Sequence, residues 1–132
     1  TRHRQDGAVL VEDGHIRAVG ARSTLTTEHP QANVTDYGKD LIIPGFVDAH
    51  VHYPQTAIIA SWGKRLIDWL NTYTFPEEMR LSDPDYAAEV AGRYLDIALI
   101  HGTTTMASYC TPAPGSVTSY FEAAAKRRMR VV

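Results

Sequence analysis

The 132-residue sequence contains one cysteine, Cys110. A single thiol excludes an internal disulfide framework and fits a reducing compartment, so a cytoplasmic protein is expected. No apolar run approaches the roughly 20 residues needed to span a bilayer, and the first residues lack the basic start and apolar stretch of a signal peptide. No membrane partner is expected. Charge of one sign is also lacking: 13 Lys and Arg stand against 15 Asp and Glu, a net charge of -2. Nothing there attracts a polyanion, so no nucleic-acid partner is expected. One basic cluster, Lys126, Arg127, Arg128 and Arg130, falls near the end of a predicted helix, where cations suit the helix dipole, and reads as a solvated helix end. An initiator methionine is missing too. The chain opens on TRHRQDGAVLVEDG and closes on MRVV, a strand barely begun, so both ends read as cut.

What is present is a regular alternation of elements. Residues 7–20, GAVLVEDGHIRAVG, alternate apolar and polar on both sides of Asp13-Gly14, which predicts a hairpin closed by a type I′ turn. Pro44-Gly45 divides the next apolar run into two predicted strands, Leu41–Ile43 and Phe46–His52. A long loop follows. Ser82 or Asp83 then caps a helix with Pro84 in its first turn. Its stripe is Tyr86, Val90, Tyr94 and Ile97, flanked by Ala87, Ala91, Leu95 and Ala98, and Gly102 stops it. Thr103–Tyr109 reads as a β-branched strand, about Ser116 to Met129 as a second helix, and Met129–Val132 as the start of another strand. Strands alternating with helices imply an α/β fold of parallel strands and right-handed crossovers. Three such strands are too few for a closed barrel, which takes about eight βα units and about 250 residues.

The stretch with chemistry in it is FVDAHVH. Residues i and i+2 of a strand share a face, so His50 and His52 point the same way from its C-terminal end, where parallel α/β folds collect their active sites. Two imidazoles are half of a metal site, since a catalytic zinc takes three or more protein ligands. Two ordinary polar residues at a strand end are the plainer alternative.

In its setting, PGFVDAHVH resembles the first-strand signature of the amidohydrolase superfamily, metal-dependent hydrolases built on a (β/α)8 TIM barrel. The hairpin before it resembles part of the small β-sandwich that many members carry. The resemblance implies that residues 1–45 belong to that sandwich and residues 46–132 to the first β/α units of an incomplete barrel. It also implies that His50 and His52 hold one metal ion. Zinc (Zn) is the expected ion and iron (Fe) the alternative, because imidazole suits both. Asp48 reads as a structural hydrogen-bonding residue.

Downstream, HVHYPQ, WLNTYTFPEE and HGTTTMASY are similar to the guanine-deaminating branch of the superfamily. There a glutamine three residues after the second histidine contacts the purine, and Gln55 holds that position. A carboxamide carries donor and acceptor together, which matches the mixed edge of guanine. A loop glutamine facing water is the alternative. Trp69, Tyr73 and Phe75 either wall the base pocket or pack beneath a long loop. The resemblance implies hydrolysis of guanine to xanthine and ammonia by a metal-activated water, with a carboxylate moving protons. The guanine deaminases take that carboxylate and the remaining ligands from later strands. No catalytic residue is therefore assigned here, Glu77, Glu78, Asp83 and Asp85 included, and the segment alone is expected to be inactive. The expected partner is guanine or a similar nucleobase, with a homodimer implied by the family. A deaminase of triazines, of S-adenosylhomocysteine or of another base is one alternative, and a non-catalytic binding or scaffolding domain is the other. His3, His15, His29 and His101 read as turn or helix-end residues, and Cys110 as a packed thiol.

Overall fold

Asp13 and Gly14 both take positive φ, 51° and 74°. That is the backbone a type I′ turn requires, and it joins β1 (Gly7–Glu12) to β2 (His15–Ala21) as an antiparallel hairpin. The computed structural model describes residues 3–132. These divide into two units between Ile42 and Ile43, three residues before the expected boundary. Residues 43–45 stay with the second unit because Gly45 lies against Thr104: a Cβ at Gly45 would overlap that side chain. In the first unit the hairpin is followed by α1 (Arg22–Glu28), which the sequence did not announce. Its RSTLTTE is poor in strong helix formers. The turn is held by buried Leu25, packed onto side-chain-free Gly20, and by Thr26, whose hydroxyl donates to the Arg22 carbonyl at 2.9 Å. Leu41–Ile43, predicted as a strand, is not one. Strand propensity is realised through pairing, and this run has no partner strand among the described residues; Leu41 is 71% exposed.

The second unit is a three-stranded parallel sheet in the order β3 (Phe46–His52), β4 (Thr103–Tyr109), β5 (Arg130–Val131). Helix α4 (Pro84–Ile100) connects the first pair and α5 (Pro114–Lys126) the second. Asp83 caps α4, accepting from the backbone N–H of Asp85 at 2.9 Å, and Gly102 ends it at φ 85°. The buried face of α4 is Ala87, Val90, Ala91 and Leu95. Val90 of the predicted stripe and Ala87, Ala91 and Leu95 of its flank make up that face, Tyr86 and Tyr94 pack at its edge, and Ile97 is 39% exposed. Helix α5 stops at Lys126, and Arg128, at φ 54°, turns the chain into β5. Arg127 is not a solvated helix end: it makes a bidentate pair with Asp96 of α4, at 2.6 and 2.8 Å.

The core of this unit contains Tyr53, Leu81, Leu95, Met106 and Tyr120. The rings of Tyr53 and Tyr120 stack at 4.6 Å, and the Tyr53 hydroxyl donates to the Ser116 carbonyl at 2.8 Å. Burial pushes the Tyr53 phenol up to about 12. Between β3 and α4 the predicted loop is mostly helical: a 3-10 helix (Tyr53–Ile58), α2 (Leu66–Trp69), a π-helical turn (Leu70–Thr74) and α3 (Phe75–Arg80). The last three run on without a break. Pro76 has no N–H to give back and its ring crowds the preceding turn, and the wider π turn absorbs that misfit. Among the described residues, no helix is long and apolar enough to cross a membrane.

Candidate active site

The C-terminal end of β3 is irregular. Asp48 pairs with Met106 and Val51 with Ser108, a step of three residues against two, so the strand bulges at Ala49–His50. Asp48 secures the bulge by accepting a hydrogen bond from the His50 backbone N–H at 3.1 Å. Both imidazoles emerge on one side, with their Nε2 atoms 3.3 Å apart. Tyr109, the last residue of β4, pairs with His52 in the sheet register. Its ring stacks on His52 at 4.8 Å and 13° and tilts against His50, also at 4.8 Å. The sheet thus holds both histidine rings from the side.

The donor geometry fits a metal. Two nitrogens 3.3 Å apart, each about 2.1 Å from one ion, would subtend roughly 104° there, close to a tetrahedral angle. Among the described residues no group of three or more His, Cys, Asp and Glu could hold a metal ion. The chain brings two donors together.

A cavity of about 350 Å³ opens beside the histidines, lined by His50, His52, Gln55, Trp69 and Tyr94 with the apolar Ile58 and Ile59. The Trp69 indole is fixed by a hydrogen bond from Nε1 to the Ser61 carbonyl, 3.0 Å. Gln55 donates from Nε2 to Glu78 Oε1 at 3.3 Å. Phe75 is not among the lining residues and stays 45% exposed at the start of α3; Tyr73 is not among them either. A second hollow of about 400 Å³ lies at the start of β5, bounded by Phe121, Met129 and Arg130 among others. It has no histidine or carboxylate in its wall and sits away from the C-terminal strand ends.

The other histidines and the cysteine have local roles. His101 Nδ1 donates to the Ile97 carbonyl at 2.8 Å, closing the end of α4, and His15 Nδ1 bonds the Asp13 carbonyl at 2.9 Å. Cys110 is partly buried, and burial pushes its thiol up, away from the reactive thiolate. Sequence reasoning missed Tyr109, Tyr94 and Glu78. A signal existed for Tyr109, since neighbouring parallel strands bring their C-terminal ends together. Glu78 closes the quoted WLNTYTFPEE stretch and Tyr94 lies on the predicted stripe of α4, but neither signal pointed to the cavity.

The family model described as the amidohydrolase family matches residues 41–132, most of the chain. The chain belongs to the amidohydrolase family. A model described as the imidazolonepropionase-like composite domain of bacteria matches residues 7–32, the hairpin and α1. The guanine deaminase of Escherichia coli (strain K12) is 39% identical over 129 residues, covering 97% of this chain and 29% of that protein. The crystal structure of guanine deaminase from Bradyrhizobium japonicum superposes with a TM-score of 0.90 at 38% identity, over 95% of this chain and 27% of that one. The guanine deaminase of C. acetobutylicum, solved with guanine bound in its active site, matches with a TM-score of 0.84 at 31% identity, over 96% of this chain and 30% of that one. The chain therefore spans under a third of the length of these relatives. Within the amidohydrolase family its α/β fold is the N-terminal part of the TIM barrel, with β3, β4 and β5 as successive parallel strands.

Proposed function

We propose that this chain is the N-terminal part of a metal-dependent enzyme that hydrolyses guanine to xanthine and ammonia. The observation that carries the reading is the convergence of two imidazoles beside a cavity that also presents a carboxamide and an indole. A flat indole beside a carboxamide suits a planar base with a polar edge. His50 and His52 are the residues that hold the metal, zinc or alternatively iron. When bound, the ion supplies the Lewis acidity that makes water a nucleophile near neutral pH. Gln55 reads the polar edge of the base, and the Trp69 indole, pinned to Ser61, offers an apolar face against its ring. Tyr109 keeps the two imidazoles from rotating. The proton-moving carboxylate and the further ligands come from chain outside this segment. Residues 1–45 supply part of a small β-sandwich and residues 46–132 the first barrel units. The enzyme works in the cytoplasm, without nucleic-acid or membrane partners, and the family resemblance makes a homodimer the assembly to test.

The test is made on the full-length chain that carries these residues. Purified enzyme should release ammonia from guanine and contain about one equivalent of zinc or iron by elemental analysis. The double variant His50→Ala/His52→Ala should lose the metal and at least about a thousandfold in turnover, whereas the 132 residues alone should be inactive. Turnover of S-adenosylhomocysteine or a triazine, with guanine untouched, would replace this reading by that of a related deaminase.

A further inference from the structure

Two consecutive glutamates on α3 have different employment. Glu77 is buried and fully engaged: the Tyr86 hydroxyl and Arg80, at 2.8 Å, both donate to its carboxylate, and the Arg80 guanidinium lies 4.0 Å above the Tyr86 ring. Glu78 is about 100° further round the helix and shares none of these partners. Among the described residues, its carboxylate takes one side-chain hydrogen bond, from Gln55 Nε2 in the wall of the cavity.

An ionised carboxylate accepts hydrogen bonds and donates none, whereas a carboxamide has an oxygen at one corner and an NH2 at the other. The corner of Gln55 that faces Glu78 must therefore be the nitrogen. One N–H is committed to Glu78. The second N–H and Oε1 remain for the occupant of the cavity, in a fixed order. Without the carboxylate the amide is free to turn by 180° about its last bond and present that order reversed.

We infer that Glu78 is a positioning residue, which locks the Gln55 carboxamide in one of its two orientations and so sets which edge of a base the site accepts. The chemical class selected is a base with a donor beside an acceptor, as guanine has in N1–H and O6. The inference rests on the guanine-deaminating function proposed above.

The experiment is a double-mutant cycle in the full-length, metal-loaded enzyme, with Glu78→Gln and Gln55→Ala alone and together, reading kcat and KM for guanine. Glu78→Gln keeps size and shape but lets the Gln55 amide sit either way round. Alone it should lower kcat/KM about tenfold, mostly through KM, with melting temperature and metal content unchanged. In the Gln55→Ala background the same change should cost less than about twofold. An equal loss in both backgrounds would overturn the inference, because Glu78 would then act on the fold or the metal and not through Gln55. Glu78→Ala, taken through the same cycle, keeps the test decisive should the glutamine variant fail to fold. Absence of guanine turnover in the metal-loaded wild type would overturn the proposed function and this role together, an outcome distinct from equal losses in an active enzyme.

Discussion

Thr74 is 2% exposed, and its buried hydroxyl has no hydrogen-bond partner among the described residues. A buried polar atom without a partner costs about 1–3 kcal/mol, so removing it at constant shape is favourable. Thr74→Val should raise stability by about 1 kcal/mol, read as a higher denaturant midpoint at unchanged slope. A lower midpoint would mean that the hydroxyl has a partner after all, such as a bound water. The neighbouring site residues differ in how far they could be read in advance. His50 and His52 were legible because strand alternation is a local rule, and the bulge between Asp48 and Val51 leaves them on one side. Trp69 was left between a wall and packing; it lines the cavity, and its indole is held by the Ser61 carbonyl. The partners of these residues were less legible, with strand adjacency the one hint of Tyr109. Tyr109 and Glu78 reach the site from a different strand and from a helix 23 residues beyond Gln55.

The elements divide the same way. The limits of β3 and β4 follow from Pro44-Gly45, Gly102 and the β-branched run, and the structure places both strands where those signals do. Gly45 shows why the glycine of that pair is needed: the chain passes so close to Thr104 that a methyl group has no room. Gly45→Ala should cost about 1–3 kcal/mol by overpacking, measured by denaturant unfolding. A near-neutral result would mean that Thr104 moves aside freely. The helical run from Leu66 to Arg80 was hidden because Asn71, Thr72 and Pro76 argue against it locally. It forms because Leu81 and Thr74 bury there and because the π turn tolerates the proline. On α4 the pattern announced the helix and the residues of its inward face, and the structure shifted the centre of that face from the tyrosines to Ala87, Ala91 and Leu95.

For the molecule, the cluster of buried phenols sets the response to alkali. Burial raises Tyr53 to about 12 and also raises Tyr94 and Tyr120. A group whose folded value lies above its unfolded value, near 10 for tyrosine, stabilises fully below that unfolded value and loses the contribution as pH rises towards the folded one. Stability should therefore hold to about pH 9 and then fall between about 10 and 12, by about 1.4 kcal/mol per pH unit for each phenol still protonated in the fold. Unfolding free energies measured from pH 8 upward check this. A flat profile through pH 11.5 would show that the phenols ionise in place. By itself the sequence determined the hairpin and its turn, the two full strands, the start of α4 to within one residue of its cap and the shared direction of the histidines. These depend on turn chemistry and strand period, which act over a few residues. The tertiary structure alone decided that Leu41–Ile43 is no strand, that Arg127 clamps α4, that Phe75 stays outside the cavity and that Glu78 meets Gln55. Each of those turns on which residues distant along the chain meet or fail to meet, and no local pattern encodes it.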